Sequence, residues 1–200
     1  MQHSTFIKTF TISYMNSSNA ATDDLSAEIE TSGFTCTRCS ACCIGHDAVI
    51  MVSPSEIRAI MQEADLSWHD IVTPYPEYII EQGQKLTFGW ALRHTQEQCI
   101  FLRNKRCTVY HARPWICKTY PFMLDQECVI TSTCEGLCSH IDPLDSQIIT
   151  QLVQDLIARR YAEEEEEAQI AYWYHIFTNT PSETKATIIV IDSEGIKPQQ

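Results

Sequence analysis

Four cysteines fall within eight residues, in the run Cys36-Thr37-Arg38-Cys39-Ser40-Ala41-Cys42-Cys43. Two cysteines three apart can turn their thiolates toward one metal ion while the intervening backbone N–H groups hydrogen-bond the sulfurs. A third at the same interval extends the chelate. Three at this spacing with a distant fourth form the ligand run of bacterial ferredoxin clusters. The adjacent Cys43, and the lack of a Cys-x3-Cys-Pro continuation, depart from that run. The string therefore permits an iron–sulfur cluster without requiring one. Two further groups follow, Cys99, Cys107 and Cys117, then Cys128, Cys134 and Cys138. Eight well-placed thiolates would fill two tetrahedral zinc sites, or one cluster and a further site. Spacing alone does not choose the metal, because thiolate accepts both zinc and iron.

Ordinary readings compete with this one. Single buried cysteines are commonly inert, and Cys128 and Cys138 read individually as plain thiols; four in eight residues do not. The even total of ten also fits a secreted disulfide framework. The opening MQHSTFIKTFTISY, however, has no continuous apolar stretch and no small-residue cleavage site, so no export signal is expected. A reducing cytoplasm is the expected compartment, where dense cysteine binds metal or catalyses. No strand–CxxC–helix context of the thioredoxin kind is visible. Six of the 14 basic residues lie in the cysteine segments: Arg38, Arg103, Lys105, Arg106, Arg113 and Lys118. Such cations can offset the charge of metal-bound thiolates, and ordinary surface cations are the equal alternative. His46 and His111, beside cysteine motifs, read as surface or hydrogen-bonding histidines ahead of ligands or acid–base groups. Asp47 reads as solvated, and Glu163–Glu167 as a solvated helical face. No catalytic constellation identifies itself, and no glycine-rich nucleotide loop is present.

The elements that must position these thiols read as one domain. A chain of 200 residues with 44% hydrophobic and 20% charged content can bury its own core. Its net charge of -12 argues against non-specific nucleic-acid or anionic-membrane binding, and no apolar run is long enough to span a bilayer. Phe6 to Tyr14 alternates loosely, as a strand would. Asp23 to Glu30 predicts a short helix with Leu25 and Ile29 on one face. Ser53-Pro54-Ser55-Glu56 is a capping box, and Ile57, Ile60, Met61 and Ala64 predict a helix over 54–64. Ser67, with Asp70 three residues on, caps a second helix with Trp68, Ile71 and Val72 as its apolar side, ended by Pro74 and Pro76.

Further along, 85–93 reads as a strand. The runs from Cys99 and Cys107 read as one hairpin with a four-residue loop, Arg103 to Arg106. Residues 111–122 read as loop or short helix, and 127–131 as a strand. After Asp142-Pro143, Ile148, Ile149, Leu152, Val153, Leu156 and Ile157 predict a long helix running past Tyr161 toward Phe177. Tyr172-Trp173-Tyr174 reads as core ahead of a docking surface. Residues 187–191 read as one buried strand with a loose tail. The expected fold is α+β: a single small domain, several helices with a short antiparallel hairpin-based sheet, and the cysteines drawn together at one end. The expected organisation is an N-terminal extension over 1–33, a cysteine-cluster domain over 34–140, and a C-terminal helix plus short strand over 141–200 that belongs to the same domain.

Taken in order, the 36–43 string, Cys99-Ile-Phe-Leu, Cys107-Thr-Val-Tyr-His-Ala-Arg-Pro-Trp-Ile-Cys-Lys-Thr-Tyr-Pro-Phe and Cys134-Glu-Gly resemble the YkgJ-type CxxCxxCC cysteine-cluster family, to which zinc or iron chelation is ascribed. The likeness covers about residues 34–137, and its Arg-Pro-x2-Cys-x2-Tyr-Pro-Phe block is specific. The resemblance implies Cys36, Cys39, Cys42, Cys43, Cys99, Cys107, Cys117 and Cys134 as metal ligands, with Arg113, Pro114, Tyr120 and Pro121 as scaffold. Lys118 replaces the usual Arg, losing its planar fork. Glu135 replaces a Pro, which makes Cys134 the least secure ligand, with Cys138 able to stand in. The functional expectation is a metal-binding protein, holding an iron–sulfur cluster or iron, with zinc as the alternative. Its role would lie in electron transfer, metal handling or protein maturation, with a protein partner possible. The alternatives are a cluster-dependent enzyme, redox or protein-methyltransferase-like, and a structural zinc module for protein contact.

Overall fold

Leu25 and Ile29 lie one helical turn apart on α1 (Asn19–Thr31), and both are buried. Each such aliphatic contributes roughly 1.5–3 kcal/mol by leaving water. The structure, a computed structural model, describes residues 19–45, 49–126, 128–139, 144–180 and 187–199. The strand expected over Phe6–Tyr14, and the positions of His46, Asp47, Asp142 and Pro143, lie outside the described residues.

After β1 (Met51–Val52), the Ser53 capping box opens α2 (Pro54–Ala64) as expected. The Ser53 hydroxyl accepts from Glu56 N, and Glu56 Oε2 accepts from Ser53 N at 2.8 Å. Ser67 and Asp70 frame a shorter helix, α3 (Trp68–Ile71). Val72 is not on its apolar side; it begins β2 (Val72–Pro74). The single strand expected over 85–93 is two strands. β3 (Ile79–Glu81) pairs with β4 (Gln84–Phe88), and the chain then turns at Gly89 into β5 (Trp90–Leu92). Gly89 has φ +78°, a left-handed conformation that costs glycine little. The turn moves the chain from one sheet to another, since β5 pairs with β1 and β2.

Two short hairpins follow. β6 (His94–Thr95) pairs with β7 (Gln98–Cys99), and β8 (Leu102–Arg103) with β9 (Arg106–Cys107). The four-residue loop expected over Arg103–Arg106 is a two-residue turn, because Arg103 and Arg106 pair and only Asn104 and Lys105 turn, both with positive φ. Cys99 and Cys107 thus sit on separate hairpins. α4 (Trp115–Thr119) occupies the segment expected as loop or short helix. It leads into β10 (Phe122–Asp125), paired with β11 (Cys128–Thr131).

The long periodic segment is one helix, α5 (Ser146–Asn179). Its first half buries Ile149, Val153 and Leu156 against Leu25 and Ile29 of α1 and Phe122. Its last turns place Ile170, Trp173, Tyr174 and Phe177 against Leu86, Ile189 and Ile191. Trp173 and Tyr174 are therefore core, as read, while Tyr172 is exposed. Glu163, Glu164, Glu165 and Glu167 are exposed, and Glu166 is half-buried. Arg159, buried at the centre of the helix, donates to Thr119 Oγ1 at 3.0 Å and so fastens α4 to α5.

β12 (Ile188–Asp192) and β13 (Gly195–Gln199) finish the chain. The tail after Ser193 is thus a strand. β12 lies parallel to β4, giving a four-stranded sheet in the order β13-β12-β4-β3. The described residues form the expected single α+β domain, and among them are five α-helices, small antiparallel sheets and this one parallel pairing. Among the described residues no helix is long and apolar enough to cross a membrane.

Candidate metal centre

Two backbone seams carry the cysteine string to its neighbours. On one side, Thr35 N donates to Gly136 O at 2.9 Å, Cys138 N to Ser32 O at 2.9 Å, and Ser139 N to Gly33 O at 3.1 Å. These bonds lay Cys134 beside Cys36 and Cys39. Gly136 is required there, because a Cβ would collide with Thr35 O. On the other side, Ile44 bridges Gln98, and Gly45 N donates to Glu97 O at 2.7 Å. That seam brings Cys43 to Cys99. Between the seams the chain reverses through left-handed Arg38 and Ser40 into a single 3-10 turn, Ala41–Cys43. Ser40 is buried, and its hydroxyl donates to Lys105 O at 3.2 Å, tying the string to the β8–β9 turn.

The thiols accordingly form two groups. Cys43, Cys99 and Cys107 pack into one core with Val52, Ile57, Trp90, Phe101 and Val109. Cys117, on α4, acts electrostatically on Cys43, and is itself acted on by Cys99, Cys42 and Cys107. Cys134 is influenced instead by Cys39, Cys36 and Cys42. Cys42 belongs to both neighbourhoods. All ten cysteines are free thiols. Cys128 and Cys138 are exposed, and neither figures among the main influences on the shifted thiols.

Three thiols share a local geometry that suits a thiolate. Cys134 Sγ accepts from Gly136 N at 3.4 Å, Cys99 from the Phe101 backbone, and Cys107 from the Val109 backbone. In each case the donor is the amide two residues downstream. Backbone N–H groups aimed at sulfur stabilise negative charge there and tune metal–thiolate centres.

Without a metal the cluster is electrostatically unfavourable to thiolates. Burial, then Cys99, Cys42 and Cys107, pushes the Cys117 thiol up to about 12. Burial raises Cys99, Cys107 and Cys134 as well. Cys42 is the exception: a hydrogen bond from Cys43, 3.8 Å away between sulfurs, lowers it to about 6, and Cys43 is pushed up in return. Arg113 also favours thiolate at Cys42, Cys107 and Cys117, while its guanidinium stacks 3.6 Å from the Tyr110 ring centroid. Arg103 acts likewise on Cys99. Lys118 is directed elsewhere, with Nζ 4.4 Å from the Trp115 ring centroid.

The donor set, eight thiols with amide donors and two arginines, fits a soft divalent metal or an iron–sulfur cluster. Among the described residues, no three Cys, His, Asp or Glu side chains are closed down to coordination geometry. Of the histidines, His111 is exposed and stacks edge-on to Tyr110. His94 is the residue the sequence did not flag. It stands opposite Cys99 in the β6–β7 ladder, its Nδ1 is 3.0 Å from Leu92 O, and its buried Nε2 has no hydrogen-bond partner. A carbonyl only accepts, so Nδ1 carries a proton. Nothing in the spacing shows this, because it depends on hairpin register. Tyr120 is a positioning residue: its hydroxyl donates to Thr133 O, next to Cys134, and burial with Cys134, Cys42 and Cys39 nearby raises it.

A cysteine-rich α+β domain whose thiols are gathered from a loop, two hairpins and a short helix is a metal-chelating class of structure. The chain belongs to the CxxCxxCC family, whose model, described as "Putative zinc- or iron-chelating domain", matches residues 35–139. The match supports metal binding and runs from the Thr35–Gly136 seam to Ser139. No solved structure matches the chain.

Proposed function

We propose that this protein holds iron through Cys36, Cys39, Cys42, Cys43, Cys99, Cys107, Cys117 and Cys134, as an iron–sulfur cluster or as iron ions. Its role would be electron transfer, metal handling or maturation of another protein in a reducing cytoplasm. One observation carries the reading: three separate thiols, Cys99, Cys107 and Cys134, each receive a backbone N–H from two residues on. Thiols with no charge to hold gain little from that arrangement, whereas metal-bound thiolates gain much. When bound, the metal supplies positive charge that offsets thiolate repulsion and, if it is iron, a one-electron couple. The chain's own residues position the sulfurs: Ser40 fixes the string, Tyr120 the Cys134 segment, and Arg113 and Arg103 lower the cost of ionising the thiols. Cys134 is preferred to Cys138 as eighth ligand, because Cys134 has the amide donor and the neighbouring thiols.

A second reading, structural zinc, is favoured by the packing of Cys43, Cys99 and Cys107 into the apolar core. A closed tetrathiolate site there would serve the fold rather than a reaction.

The deciding experiment is metal analysis and visible absorption of protein purified without oxygen. Brown protein with iron and acid-labile sulfide in proportion supports the cluster. Colourless protein carrying about two zinc ions selects the structural reading. Protein with neither metal overturns both.

A further inference from the structure

We infer that the eight thiols form two unequal metal-binding sets: an inner set of Cys43, Cys99, Cys107 and Cys117 that retains its metal, and an outer set of Cys36, Cys39, Cys42 and Cys134 that exchanges it. The inference rests on the metal-binding reading and goes beyond it, since that reading is indifferent to how the thiols divide.

Burial is the first argument. In the inner set Cys99 is buried and the other three are half-buried, and Cys43, Cys99 and Cys107 pack against Trp90, Phe101 and Val109. In the outer set Cys36 and Cys42 are exposed, and Cys39 and Cys134 are half-buried. A chelator or a partner's thiol must reach the sulfur to displace it, and the two exposed cysteines of the eight, Cys36 and Cys42, both belong to the outer set.

Anchoring is the second. Inner thiols sit on β7, β9 and α4 and at the end of the 3-10 turn. α4 is held from two sides, by Glu56 Oε1 accepting from Trp115 N at 2.8 Å and by Arg159 reaching Thr119. Of the outer thiols, Cys36, Cys39 and Cys134 sit on two irregular segments joined by the few backbone bonds around Thr35, Gly136 and Cys138, while Cys42 shares the 3-10 turn with Cys43. Opening that seam moves Cys134 away from Cys36 and Cys39 without disturbing a sheet or helix.

Connection is the third. The Cys42 and Cys43 sulfurs, 3.8 Å apart, are where the sets meet. Metal arriving at the exposed set is therefore adjacent to the inner set. This is the arrangement expected of a centre that takes up metal at its surface and passes it inward, or that hands its outer metal to a protein acceptor with thiols of its own.

The test uses the full chain, reduced and metal-free, loaded anaerobically with two equivalents of Zn2+ and challenged with a chromogenic chelator. Two release phases of equal amplitude are expected, separated by about ten- to a hundredfold in rate, the range that surrounding interactions give metal sites. Cys36→Ser, at an exposed position, should abolish the fast phase and leave the slow one. Gly136→Ala, which keeps every thiol but breaks the seam, should accelerate the fast phase alone. A single phase, or equal loss of both phases in Cys36→Ser, overturns the two-set division while leaving metal binding intact. Failure of the wild-type chain to take up either Zn2+ or, in a parallel anaerobic loading, Fe2+ overturns the underlying reading as well.

Discussion

Cys42 and Cys43 are neighbours in sequence whose sulfurs stand 3.8 Å apart and perturb one another in opposite directions. Cys43 donates, Cys42 accepts, and the accepting thiol is lowered to about 6. At that separation a thiol of one proposed set stands directly against a thiol of the other. Under the two-set reading Cys42 would offer a thiolate to incoming metal, and Cys43 would give up its proton afterwards.

That division fixes the pH dependence of alkylation. In the metal-free chain Cys42 should react with iodoacetamide at a rate that rises through pH of about 6 and then levels off. Replacing Cys43 by Ala removes the largest cause of the lowering, and the midpoint should climb toward the ordinary thiol value of about 8.5. Peptide mapping by mass spectrometry reads this residue by residue. An unchanged midpoint would assign the lowering to the Cys42 backbone amide and Arg113 instead.

Cys117 has the opposite sign. Its thiol is held protonated to about 12, chiefly by burial, whereas the unfolded chain ionises near 8.5. The native state therefore binds the extra proton between these values, and stability present below about 8.5 is lost as pH climbs toward 12. Metal-free protein should melt progressively earlier over that window. Metal-loaded protein should not, since its thiols have already lost their protons. Thermal melts followed by circular dichroism at pH 7 and pH 10 would decide, and a Cys117→Ala chain should show a flatter dependence.

Glu56 makes a further prediction because it serves two helices. One carboxylate oxygen closes the capping box of α2, and the other accepts from Trp115 N at the start of α4, two residues before Cys117. Glu56→Ala loses both, for about 2–4 kcal/mol in urea unfolding. Ser53→Ala loses only its half of the cap, about 1 kcal/mol. If α4 positions Cys117, only Glu56→Ala should also speed release of the tightly held metal.

What the sequence made legible follows from range. Both capping boxes and the 34-residue α5 were readable because their signals are local: side chains three apart, or apolar residues at helical period. β13 was not, because Gly195-Ile-Lys-Pro-Gln is polar and contains Pro198, which is tolerated on an edge strand. The tight β8–β9 turn was hidden by Lys105, whose positive φ is unusual for that residue. The eight cysteines proposed as ligands could be named by motif, but the backbone pairings that set their neighbours could not. Gly33 meets Ser139 and Ile44 meets Gln98 across many residues of chain, pairings that no periodicity encodes.

Asp192 joins the C-terminal hairpin to the core beneath the thiols, and its loss should be felt at both. It is fully buried, accepts from Trp90 Nε1 at 2.7 Å and pairs with Lys197 Nζ at 2.6 Å. Trp90 in turn packs in the same core as Cys43, Cys99 and Cys107. Asp192→Ala leaves the indole N–H without its acceptor and the ammonium without its nearest charge. The expected cost is about 2–4 kcal/mol, short of a fully buried pair because Lys197 keeps 29% of its side chain in water and can hydrate. Asp192→Asn keeps an acceptor for Trp90 and should cost less. Urea unfolding followed by tryptophan fluorescence measures both, and the ordering is the discriminating result. If Asn is as damaging as Ala, the Lys197 charge pair dominates. If Asn is near wild type, the indole hydrogen bond is what holds Trp90 over the buried cysteines, and metal retention should track the fluorescence.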